Sequence, residues 1–358
     1  MYGLLLAKIQ NSVQHWSSKI LSYAGKIQLL NSVIFGLESY WCACILLPKG
    51  VIKQIRKICK DFFWNQNGGK RWVFKSWKSI CHPWREGGFG IKELLSWNKA
   101  LLARLLWKLD QGVDSVWVQW TTEYNLCGQS VWEVSVKNFH SESFRGILVV
   151  RDDFLQKTGS IDSARARLAS WVNNKKFNLS KAYDFFRLKS PTITWTKSIM
   201  GSSVVPSHGV ITMIAGQGKL ATTDSISRRG LILVNRYSMC ECHEETHRHL
   251  FFRCPMSHFI WLGLTAWMRI ASRSCDLLTE LHWTIKRNTI RHWKTRWFRG
   301  CVTAAVYYIL HERNTRIFAG QKRSPSQILW LIKYIVSIRL ISCTSRVDEH
   351  DITSALNQ

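Results

Sequence analysis

Apolar residues recur at three- and four-residue steps through most of this chain, a pattern that predicts a mainly α protein. Ser22 is placed to cap a helix whose apolar positions Ile27, Leu30, Ile34 and Leu37 keep that step. Pro48-Lys-Gly50 then breaks the pattern. The next segment is the clearest helix: Val51, Ile52, Ile55, Ile58, Cys59, Phe62 and Phe63 fall on one face. Asn67-Gly-Gly69 is expected to end it. A loop rich in Trp and basic residues follows, then the turn Glu86-Gly-Gly-Phe-Gly90, whose glycines suit tightly folded backbone. Good helix formers fill Asn98 to Trp107. Residues 110–150 are less regular, and Val131, Val134 and Val136 hint at strand or loop. Beyond Phe177 the pattern is short and mixed, with a helix expected over Leu179 to Phe186. Residues 258–343 return to amphipathic helix, marked by Trp261, Leu264 and Trp267, by Ala305, Tyr308 and Ile309, and by Leu329, Ile332 and Ile335. The last fifteen residues are polar and expected to fray.

Charge changes this picture most. The chain has 358 residues and a formal net charge of +27, from 50 Lys plus Arg against 23 Asp plus Glu. Such an excess exceeds what solubility needs and attracts polyanions, nucleic acid above all. The charge is also organised. Lys53, Arg56, Lys57 and Lys60 form one basic stripe beside the apolar face of their helix. Like charges at this spacing repel, and phosphates would relieve the repulsion. A second cluster, Lys286, Arg287, Arg291, Lys294, Arg296 and Arg299, is interleaved with Trp283, Trp293, Trp297 and Phe298. Those rings are either core or a platform for unpaired bases. Arg228 and Arg229 form a third, weaker site. Hydrophobic residues make up 46%, enough for a sizeable core.

Candidate chemistry concentrates in one run. Residues 237–254 hold Cys240, Cys242, Cys254, His243, His247 and His249. Thiolates and imidazoles are the ligands zinc prefers, and a closed structural site needs four. The alternative is buried small hydrophobes with His on the surface. The odd total of 11 Cys, irregularly spaced and without a secretory signal, points away from a disulfide framework and towards a reducing, intracellular setting, nuclear or cytoplasmic. No apolar run is long enough for a membrane span; the nearest, Ile328 to Ile341, is broken by Lys333 and Arg339. Gly88-Phe-Gly90 lacks the ending of a phosphate loop, and there is no nucleophile elbow.

Taken in order, several motifs resemble the C-terminal region of a plant LINE-type (non-LTR) retrotransposon reverse transcriptase. The first block is Trp16 with Leu21 to Val33, then Leu47-Pro48, Phe62-Phe-Trp64, Cys81-His-Pro83, Glu86 to Ile91 and Asn98 to Leu102. It looks like the thumb-like part behind the polymerase palm. Lys181-Ala-Tyr183, Trp195, Lys219 to Asp224, Arg229-Gly230 and the Cys/His run closing on Trp261 resemble the zinc-binding domain of these elements. Glu312-Arg-Asn314 with Ile317-Phe318 is similar to the tail beyond it.

The resemblance implies a thumb-like helical bundle over residues 1–125, a small zinc-binding α domain with irregular loops over 140–262, a helical tail over 263–343 and a disordered end over 344–358. It implies zinc held by Cys240, His249 and Cys254, with Cys242 as the substitute fourth ligand and His243 or His247 as others. Tyr237 stands where the family carries its first Cys, and Met213 where it carries Trp. The Tyr-Ala-Asp-Asp segment of such polymerases is missing, and the chain is expected to begin after the palm. The lone pair Asp152-Asp153 reads as a solvated loop. The expectation is therefore a non-catalytic, nucleic-acid-binding remnant that contacts RNA or DNA through phosphates, with no membrane and no small-molecule substrate. Two alternatives stay open: the C-terminal part of an active polymerase whose palm lies upstream, or a domesticated protein-interaction scaffold.

Overall fold

The computed structural model describes residues 2–17, 21–64, 75–227, 239–240, 244–270, 276–286 and 292–343. The mainly α expectation holds. Sixteen helices follow one another among the described residues: α1 (Tyr2–Ser17), α2 (Tyr23–Leu29), α3 (Phe35–Cys44), α4 (Lys49–Trp64), α5 (Trp77–Ile80), α6 (Leu94–Asp110), α7 (Val116–Thr121), α8 (Glu142–Thr158), α9 (Ile161–Ala169), α10 (Leu179–Phe186), α11 (Pro206–Gly216), α12 (Thr223–Ser227), α13 (Pro255–Trp267), α14 (Leu277–Lys286), α15 (His292–Ala319) and α16 (Pro325–Ser342). The described strands are β1 (Val172–Asn173) and β2 (Lys176–Phe177), an antiparallel pair with Val172 opposite Phe177. Side-chain caps set many helix starts. Ser115, Ser141, Ser160 and Asn178 each accept a hydrogen bond from the first turn of α7, α8, α9 and α10. Ser22 does the same for Gly25 N, at 3.2 Å.

The chain divides into two compact units. One comprises 1–21, 26–69 and 90–191, the other 22–25, 70–89 and 192–358. In the first, α6 packs against α3, α8 and α10. Leu102, Leu106, Ile147, Leu148, Phe154 and Trp171 build its core. The expected apolar face of α4 is confirmed: Ile52, Ile55, Cys59, Phe62 and Phe63 are buried. Val131 and Val134 lie in irregular backbone, and both are buried. Asp152 and Asp153 correct the sequence reading, because they sit within α8 and not in a loop. Asp153 pairs with Lys99 at 3.0 Å and Lys157 at 3.5 Å, while Asp152 pairs with Arg151 at 2.7 Å.

Asn98 is the polar pin of this unit. It is fully buried, accepts from Leu47 N at 2.8 Å, and donates to the carbonyls of Cys42 and Ile45 at 2.8 Å each. Those groups lie where α3 ends and cannot close within it. Asn98→Leu leaves three buried backbone groups unmet, so a loss of about 3 kcal/mol is expected. Urea unfolding measures it, and a loss under about 1 kcal/mol contradicts the role.

In the second unit α15 is the axis. Cys301, Val302, Ala305, Val306 and Ile309 on it are fully buried. It packs against α16, α11, α14 and α13. Its small residues allow neighbours to approach closely, and Ile332, Val336 and Leu340 of α16 are buried against this core.

Candidate metal centre

Cys240, His249 and Cys254 come together although nine and five residues separate them along the chain. Their ligand atoms all lie within 4.8 Å of one another, and Cys240 Sγ stands 3.2 Å from His249 Nε2. Local structure brings this about. His249 to Arg253 forms one wide helical turn, and Cys254 N donates to His249 O at 2.9 Å. Thr246 Oγ1 accepts from His249 N at 3.1 Å. Pro255 then opens α13, leaving Cys254 as the residue that caps its N-terminus.

The donor types suit a cation. Cys254 is fully buried. Burial pushes its thiol up, the backbone N–H groups of Ser257 and Met256 at the helix start pull it down, and neighbouring Cys240 pushes it up again. A bound dication reverses the balance, since it stabilises thiolates directly. Two sulfurs and one imidazole nitrogen are a donor set zinc accepts, and tetrahedral bond lengths require ligand spacings of roughly 3.5–4 Å. The observed cluster needs little contraction to reach them, so these residues fit the metal.

The other predicted ligands stand differently. Cys242, His243 and Tyr237 lie outside the described residues. His247 is not part of the group; its ring stands 6.5 Å from that of Phe251. Met213 is fully buried and takes the thioether's usual role of filling core space. Glu245, within the same run, is fully buried and pairs with Arg313 at 2.8 Å.

The family model described as zinc-binding in reverse transcriptase matches residues 177–261. That segment is similar to this family. The matched segment runs from β2 to α13 and contains all three clustered residues. The chain is also 25% identical over 177 residues to a putative ribonuclease H protein of Arabidopsis thaliana. The match takes in 48% of this chain and 28% of that relative. Both likenesses support a C-terminal region of a retroelement reverse transcriptase.

The basic residues divide into two groups. On α4, Lys53, Arg56, Lys57 and Lys60 are all exposed. Arg56 meets Glu93 at 3.0 Å. Among the described residues the other three meet no carboxylate. In the second cluster Arg287 and Arg291, like Arg228 and Arg229, lie outside the described residues. Lys294 is exposed, with its ammonium 5.5 Å from the Trp293 ring centre, and Arg296 donates to Cys343 O at 3.3 Å. Trp293, Trp297 and Phe298 are buried, so the core alternative holds for these rings. Trp297 packs edge-on against Trp267 at 4.9 Å.

Sequence reasoning missed Arg313, Arg316 and Glu312 as neighbours of the centre. Arg316 donates to Met239 O at 3.2 Å, beside Cys240. The only signal was the Glu-Arg-Asn run at 312–314, which the resemblance singled out without assigning it a role.

Proposed function

We propose that this chain is a nucleic-acid-binding, non-catalytic segment of a LINE-like retroelement reverse transcriptase, whose zinc domain carries a structural metal. The observation that carries this reading is the α4 stripe. Three exposed lysines, Lys53, Lys57 and Lys60, share one helix face without a compensating carboxylate among the described residues, in a chain of net charge +27. Ammonium groups in that arrangement suit a run of phosphates. Such contacts position RNA or DNA and read no sequence. Zinc in the domain ties Cys240 to the turn that carries His249 and Cys254.

The test is a salt titration of binding to duplex and single-stranded oligonucleotides. Three phosphate contacts contribute a log–log slope of about −2.7 on duplex DNA. Replacing Lys53, Lys57 and Lys60 by Gln together is expected to flatten the wild-type slope by that amount. Equal slopes in both proteins refute the stripe's role. Template-dependent nucleotide incorporation by the purified chain contradicts the non-catalytic part.

A second reading, a protein-interaction scaffold, is favoured by the outer face of α16. Trp330 is 61% and Tyr334 53% exposed, and Ile338 and Ile341 continue the same stripe. The Trp330 and Tyr334 rings stack 5.2 Å apart. Capture of a protein partner that survives high salt and is lost in Trp330→Ala supports that reading.

A further inference from the structure

Glu312, Arg313 and Arg316 of α15 lie outside the matched zinc-binding segment, yet they converge on the stretch that carries its ligands. Arg313 forks onto Glu245 Oε2, donating from Nε at 3.3 Å and from Nη2 at 3.2 Å, and its Nη2 stands 2.8 Å from Oε1. Glu245 lies between Cys240 and His249 in sequence. Its Oε2 also accepts from Thr223 Oγ1 at 2.9 Å. Arg313 Nη2 donates further to Ala221 O at 3.1 Å. One turn on, Arg316 donates to Met239 O at 3.2 Å and approaches Met256 Sδ at 3.3 Å. Met239 precedes Cys240, and Met256 stands two residues after Cys254. Glu312 holds Arg316 in place, accepting from its Nε at 2.8 Å and from Arg323 N at 2.8 Å.

We infer that the metal-binding module extends to α15, where Arg313 and Arg316 act as positioning residues for the cation site at Cys240, His249 and Cys254. The physical case is one of geometry and desolvation. A Cys or His ligand loop without a sheet to fix it has many conformations, and each must be excluded before the ligands converge. Arg316 fixes the backbone on the Cys240 side and reaches towards the Cys254 side. Arg313 fixes Glu245, which lies between Cys240 and His249 in sequence. A guanidinium is suited to both tasks because its donors form a rigid planar fork. A buried carboxylate beside the loop is tolerated because Arg313 neutralises it. Both reach the ligand-bearing stretch through its backbone and through Glu245.

The inference rests on the metal reading proposed above, and the experiment separates the two. Zinc affinity of the full chain is measured by competition with a chromogenic chelator, with melting curves recorded in zinc and in chelator. The proteins are the wild type, Arg313→Met, Arg313→Lys, Arg316→Met and Cys254→Ser. The expected result is a 10- to 100-fold weaker zinc affinity in Arg313→Met and Arg316→Met, as for other groups that orient ligands, and a smaller loss in Arg313→Lys. The zinc-induced rise in melting temperature shrinks in parallel. Affinities within twofold of wild type overturn the inference. So does an equal drop in melting temperature with and without zinc, which marks pairs that only stabilise the fold. Should Arg313→Met not fold, Arg313→Lys and Arg316→Met decide the matter. If wild type and Cys254→Ser take up the same zinc, the metal reading itself falls.

Discussion

Cys254→Ser is expected to strip zinc from the chain and to make its stability indifferent to chelators. Cys254 is the most enclosed of the three clustered ligands, with its sulfur held at the start of α13. Serine keeps the size but offers a hydroxyl that stays protonated at neutral pH, and zinc prefers thiolate. Only Cys240 and His249 would remain of the described group, too few for a closed site. Structural zinc in small domains contributes roughly 10–16 kcal/mol. A site with fewer protein ligands contributes less, yet even a fraction of that is large against total stabilities of about 5–15 kcal/mol. Metal content by mass spectrometry and melting with and without chelator measure the effect. Equal zinc in the two proteins removes the centre assigned here.

Gly88→Ala is expected to be the most damaging glycine-to-alanine change among the glycines compared in the described residues. A Cβ at this position would stand 1.9 Å from the His82 carbonyl oxygen and 2.4 Å from its carbon. The obstacle is backbone, which cannot rotate aside as a side chain can. The turn around it is also fixed from several directions. Gly88 N donates to Pro83 O at 3.1 Å, Gly87 N to Trp84 O at 2.8 Å, and Phe89 N to Ile80 O at 2.9 Å. Gly87 has φ +77°, and its carbonyl accepts from Lys75 and from Gln217 Nε2. Burial, reinforced by nearby Lys219, lowers the Lys75 ammonium to about 8. A turn so constrained has no neighbouring conformation to relax into, so a loss of about 3 kcal/mol or more follows. The contrast is Gly50→Ala in α4, where nothing lies within 4 Å and the change should be neutral or slightly stabilising. Urea midpoints of both variants provide the comparison, and similar values for the two would show that the Gly88 turn yields.

The sequence was legible where local chemistry sets structure. The helix over Leu179 to Phe186 matches α10 at both ends, because Asn178 caps it and its period is unbroken. The α4 face is equally clear, since apolar residues at helical spacing leave few alternatives for burial. The dense Cys/His run at 237–254 marked the candidate centre, and within it the resemblance implied Cys240, His249 and Cys254, which the fold brings together, with Cys242, which lies outside the described residues. It failed at Asp152 and Asp153, where the charge pair suggested a loop. There Ser141 caps a long helix, and buried Arg151 anchors it to the carbonyls of Val131 and Val134 at 2.9 and 2.6 Å.

What the sequence determined by itself is a helical, strongly cationic chain carrying a Cys/His ligand set. Those properties follow from residue type and short-range period. Only the tertiary structure decided that Glu245 is buried, that Trp293 and Trp297 are core, and that Arg313 and Arg316 reach the ligand loop. Each of those outcomes depends on a partner many residues away. Desolvating a charge is tolerable only where an opposite charge meets it, and a one-dimensional pattern does not encode which pairs will meet.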